Sequence, residues 1–109
     1  MFAFEIPGQR FSMPAGADVE RCRFVSINAN SAGIAATAAT KIVGVSMNKA
    51  DEGQVLEIAD GIVIVEASAA ITAGVAVTSA ADGRAVAGDG PAIALTSASA
   101  AGELVTVKL

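Results

Sequence analysis

Enzymatic chemistry needs a nucleophile, a general base or a metal ligand, and this chain is short of all three. It has no His, which removes the commonest general base and the commonest metal ligand. Cys22 is the single cysteine, so no Cys–His pair, thiolate-rich zinc site or intrachain disulfide can be assembled. It stands in the alternating stretch Arg21-Cys22-Arg23-Phe24-Val25-Ser26-Ile27 and reads as a small apolar side chain. Serine chemistry would need a G-x-S-x-G elbow, which the sequence lacks. The carboxylates are placed for turns: Asp60, Asp82 and Asp89 each precede Gly, and Asp51-Glu52 lies in a turn-forming run. None has the D-x-[DN]-x-[DN]-G spacing of a calcium loop. Gly88-Asp89-Gly90 does not extend to a dinucleotide fingerprint, because Ile93 stands where the third Gly would be. The expectation is a non-enzymatic protein with no catalytic residue, cofactor or metal site.

One lysine warrants a separate reading. Met47-Asn48-Lys49-Ala50 at a hairpin tip resembles the modified-lysine turn of lipoyl and biotinyl carrier domains, which are also small pseudo-symmetric β-barrels. The flanking pattern departs from both: no Met follows the Lys directly, and no acidic residue precedes it directly. An ordinary solvated turn residue explains Lys49 more simply.

The rest of the composition describes a lean scaffold. In 109 residues there is room for one compact domain and a short arm. About a quarter of the chain is Ala, with no Trp, no Tyr and four Phe. At about 25 cal/mol per Å² of buried apolar surface, a core of Ala, Val and Ile gives modest stabilisation per residue. Such a core favours association with further chains. The net charge of −4 argues against a nucleic-acid partner, which would demand clustered Lys and Arg. No basic and apolar leader opens the sequence, and its apolar runs are broken well short of the ~18 residues needed to span a bilayer. Cytoplasmic synthesis without a membrane partner is the expectation.

Residues 1–18 differ from the rest of the chain. Phe2, Phe4 and Phe11 are three of the four aromatics, and Phe2, Phe4 and Ile6 alternate with Ala3 and Glu5 as in a half-buried strand. Pro7-Gly8 and Pro14-Ala15-Gly16 forbid a continuous helix. This segment reads as an extended arm, with a first strand of the protein's own barrel as the alternative. From residue 19 to 109 the pattern is short strands over 21–27, 41–47, 54–58, 62–66, 76–78, 92–96 and 104–107. A loop is expected at 28–33, and turns at 48–53, Asp60-Gly61, Asp82-Gly83 and Asp89-Gly90-Pro91. The fold class is all-β, a small β-barrel or β-sandwich with an extended N-terminal arm. Val43 to Ile58 and Ile93 to Val107 echo one another as strand, small polar turn, Gly, strand. The echo implies two similar units packed face to face.

The segments Lys41-Ile42-Val43-Gly44-Val45-Ser46, Ala70 to Thr78, Asp82-Gly83-Arg84-Ala85 and Ala92 to Val107 carry a resemblance to the capsid decoration (cement) proteins of tailed phages. It covers residues 41–109. The resemblance implies a β-rich virion protein on the outer capsid surface that clamps neighbouring capsomers. Its implied partners are the major capsid protein and its own copies, as a homotrimer at three-fold or quasi-three-fold positions. In that setting Phe2, Phe4, Ile6, Arg10, Phe11 and Met13 of the arm are the candidate capsid or inter-subunit contacts, adding a strand and hydrophobic anchors to a neighbour. A generic β-module of another virion or extracellular assembly is the remaining alternative.

Overall fold

The computed structural model describes residues 6–28, 31–34 and 42–109. These form nine strands and no helix: β1 (Ile6–Pro14), β2 (Phe24–Asn28), β3 (Ser31–Ile34), β4 (Gly44–Ser46), β5 (Val55–Glu66), β6 (Ala76–Ser79), β7 (Ala85–Ala87), β8 (Ala92–Ala94) and β9 (Leu104–Lys108). They join into one curled antiparallel half-barrel sheet in the order β3-β2-β4-β5-β9-β8-β6-β7, with β1 paired to β5. The all-β expectation holds, and the two Ala-rich runs at 67–70 and 97–101 form no helix.

Strand β5 organises the molecule. Ile58 and Ala59 pair with β1 and β4 at once, and Ile62 pairs with β1 and β9 at once. A strand has two edges, so β4 and β9 share the edge of β5 opposite β1. Asp60-Gly61, read from the sequence as a turn between two strands, instead lies inside this single strand. Gly61 takes a φ of 90°, a conformation that costs Gly little and other residues much. The kink faces a register shift in β1 between Pro7 and Arg10. There the Gln9 N–H donates to Asp60 Oδ1 at 2.8 Å, so the same Asp-Gly chemistry serves a bulge rather than a hairpin. Pro7, with no N–H to give, sits at that irregularity.

Strand β5 buries residues of both its faces. Leu56 and Ile58 join one apolar cluster with Ala15, Val19, Val25, Ala32 and Ala50. Ala59, Val63 and Val65 join a second cluster with Ala67, Ile71, Val77, Ala85, Ala98, Val105 and Val107. Every member of the first set has a counterpart in the second about fifty residues on, because the described residues form a tandem structural repeat. Residues 10–59 and 62–108 have the same pairings. Phe11 faces Ile58 as Val63 faces Val107. Val25 faces Ile34 as Val77 faces Ala87, and Val45 faces Ala59 as Ile93 faces Lys108. The loops agree as well. Val19 and Ala50 exchange two backbone bonds, as do Ile71 and Ala98, and Gly53 and Gly102 donate to Ala15 and Ala67 at 2.8 Å. Strand β5 closes the first repeat with one half and opens the second with the other.

The sequence echo at 43–58 and 93–107 is therefore real but covers only the last two strands of each repeat. Its expected face-to-face arrangement is corrected. The core of the second repeat takes in Phe24, Val45 and Ala59, which lie on the back of the first repeat, so the repeats stack front to back. The loop expected at 28–33 is also corrected: Ser31 to Ile34 form β3 and pair with β2. Backbone pairing with a buried neighbour overrides the weak strand preference of Ser, Ala and Gly.

Candidate functional site

The sequence places its candidate contacts on residues 2–13, and the structure divides them. Phe2 and Phe4 lie outside the described residues. Ile6, Arg10, Phe11 and Met13 belong to β1, which pairs with β5 of its own chain from Ile62 to Val55. Of the two readings open for this segment, residues 6–14 show the strand. Alternation then sets two faces. Arg10 projects from one and forms a 2.6 Å ion pair with Glu57, both side chains about half exposed. At a solvated surface such a pair contributes little to stability. Phe11 and Met13 lie on the other face, opposite Ile58 and Leu56. Met13 is half-buried against the first cluster, whereas Phe11 remains 38% exposed at its rim.

Phe11 has company that the sequence did not single out. Ile27, Val55, Val75, Ile93, Leu95 and Leu104 are also exposed. Val75, Ile93 and Leu95 gather on the second repeat, where β6 and β8 are paired through Ala76 and Ile93. Their signal was alternation itself: Ile93 and Leu95 flank buried Ala94, which marks a second apolar face on a short strand.

The charged side chains do structural work. Glu66 accepts from Arg23 Nη1 at 3.3 Å and from Arg84 Nη1 at 3.2 Å, bridging the two repeats. Arg84 Nε also donates to Asp82 at 2.7 Å, and the Asp82 carboxylate accepts from the Arg84 backbone N–H. Burial pushes the Asp82 carboxyl up, but these hydrogen bonds and the guanidinium charge outweigh it and hold the group below its ordinary value. Glu103 is held low by hydrogen bonds from the Ser99 hydroxyl and backbone N–H. Asp82 is thus an ion-pair partner and Glu103 a turn partner. Among the described residues no group of three or more acidic or Cys side chains could hold a metal ion. Lys49 lies exposed in the β4–β5 turn, 3.8 Å from Glu20. Cys22 is buried, as expected of a packing residue, though at a φ of 64° rather than in a regular strand.

The chain matches no protein-family model and no curated protein. Among solved structures it is similar to the head fiber gp8.5 N base of bacteriophage phi29, with a TM-score of 0.76 and 24% identity over 91% of each chain. The likeness establishes the fold: the sheet and its repeats are an architecture that a phage head protein also uses.

Proposed function

We propose that this protein is a structural component of a tailed-phage head, a decoration (cement) protein that binds the outer capsid surface and bridges capsomers. One observation carries the reading: the fold is shared over nearly the full length with a protein of a phage head. The resemblance of residues 41–109 to cement proteins supports it from the sequence side. So does the placement of Glu57, Glu66 and Asp82 in ion pairs within the chain, a structural use of charge. Its partners on this reading are the major capsid protein and further copies of itself in a trimer. Phe2, Phe4, Ile6, Arg10, Phe11 and Met13 supply contacts to one or the other. Each contact can be weak, because a lattice of sites multiplies them.

The test is co-sedimentation with expanded capsids of the phage or prophage that encodes the chain. Binding at saturable stoichiometry and slower loss of shells on heating are expected; free protein left wholly in the supernatant would overturn the reading. Removing residues 2–5 tests the arm while leaving Ile6–Pro14 of β1 in place, and weaker capsid binding is the expected result. The similar structure is the base of a head fiber, which favours one variant of this reading, a module that seats a surface fiber rather than a clamp. Binding without any gain in shell stability would select it.

A further inference from the structure

The two repeats stack front to back, and such a contact uses two different surfaces. The first repeat offers its back (Phe24, Val45 and Ala59, with Met47 packed alongside), and the second covers it with its core. On the back of the second repeat and at the rim of the front of the first, large apolar side chains stay exposed, although Val25, Leu56 and Ile58 at the centre of that front are buried. Repeat equivalence identifies those surfaces residue by residue.

On the back of the second repeat, Ile93 stands where Val45 stands in the first, and Leu95 where Met47 stands. Val45 is fully buried, yet Ile93 is 43% exposed. On the front of the first repeat, Phe11 corresponds to Val63 and Ile27 to Ser79. Val63 and Ser79 are buried, whereas Phe11 and Ile27 are 38% and 40% exposed. Val75, the fifth such residue, takes the place of Arg23, which reaches Glu66 across the internal junction. The position equivalent to Glu66 is Pro14. An ion pair inside the molecule is thus matched by two apolar residues on those two surfaces.

Among the described residues seven large hydrophobics are exposed, and five of them (Phe11, Ile27, Val75, Ile93 and Leu95) fall at positions that the other repeat covers or pairs. The remaining two, Val55 and Leu104, correspond to each other and are exposed in both repeats. Scattered surface apolar residues would not sort in this way.

We propose that copies of this chain associate head to tail, the front of the first repeat of one copy (Phe11, Met13, Ile27) docking on the back of the second repeat of the next (Val75, Ile93, Leu95), as the two repeats dock within one chain. The occupant is a second copy because Phe11, exposed on the first repeat, holds the position through which Val63 packs with the back of a repeat inside the chain. The contact sharpens the role of β1 and does not depend on a capsid being the scaffold.

Complementary variants test it in solution. The intact chain is expected to show concentration-dependent association by sedimentation velocity. Phe11→Asp and Ile93→Asp each break one surface, and both residues are exposed in the single chain, so the fold tolerates them. Each variant alone should associate at least about ten-fold more weakly. Mixed in equal amounts, they retain one intact front and one intact back between them and should form a dimer that grows no further. An intact chain that stays monomeric to about 1 mM would overturn the proposal. So would a mixture that associates no better than its components, because a self-complementary patch is not rescued by mixing. Circular dichroism of each variant against the intact chain separates lost association from lost folding. If a variant unfolds, Phe11→Ser and Ile93→Ser give the same readout with a milder change. Retained association in both folded Asp variants overturns the contact as well.

Discussion

At Cys22 the backbone is in the left-handed region, which costs an ordinary residue roughly 1–2 kcal/mol. The second repeat explains why. The equivalent position is Gly74, at a φ of 94°, and the same backbone bonds flank both: Cys22 and Gly74 donate to Ser46 and Ala94. The turn requires the conformation, and one repeat has kept a side chain there. Cys22→Gly is expected to change stability by less than about 1 kcal/mol, relief of strain offsetting the lost packing. Cys22→Val, β-branched at a positive φ, should cost about 2 kcal/mol or more, read from urea midpoints. Asp82 makes a second prediction. Its carboxyl is held below the ordinary value, so the stability it contributes is complete above the unfolded pKa of about 3.9 and is lost as pH falls through the lower folded value. Asp82→Asn should shrink the gap between urea midpoints at about pH 6 and about pH 3, in the direction of a flatter acid limb. At this scale the sequence was legible for Cys22 as a buried side chain and for Asp82 as a turn residue. The φ of Cys22 was not, because nothing local distinguishes a strained Cys from a relaxed one.

Strands obey the same logic at the next scale. Period-two alternation revealed β2, β5, β6, β8 and β9 to within a few residues, because each buries one face. It failed at Asp60-Gly61, where turn residues serve a kink inside β5, and at Ser31 to Ile34, where pairing with β2 supplies what composition does not. The full repeat was hidden for a related reason. What the repeats share is burial and pairing, not residue type: Leu56 corresponds to Val105, and Val19 to Ile71. Alanine is the exception. Ala15, Ala32 and Ala50 recur as Ala67, Ala85 and Ala98, each at an isolated bridge where two backbones meet closely. That is where part of the Ala excess goes. Close approach also governs β4. A Cβ on Gly44 would lie 2.6 Å from the Ala59 carbonyl oxygen and 2.7 Å from Ile58 Cγ2. Gly44→Ala should therefore destabilise by about 1–3 kcal/mol, visible as a lower urea midpoint with an unchanged slope.

For the whole molecule, equivalence between repeats does not mean equal energetics, since one repeat's back is covered and the other's is open. Val45→Ala should cost about 2 kcal/mol, while Ile93→Ala, in dilute solution, should stay within about 0.5 kcal/mol. Equal losses from the two would contradict the front-to-back stacking. The all-β class was legible in the alternating segments, and the likeness to a solved structure bears that fold out. The first segment was legible only in part, since residues 6–14 of the expected arm form β1 and pair with β5. The strand that joins the repeats sets a further condition. One run of chain, Val55–Glu66, is the last strand of one repeat and the first of the next. A gene cut within either half of it shortens a strand of one repeat, and a cut at Asp60-Gly61 parts Phe24, Val45 and Ala59 from the core that covers them. The two halves differ in sequence, as Cys22 and Gly74 do, but separating them would bare an apolar face on each.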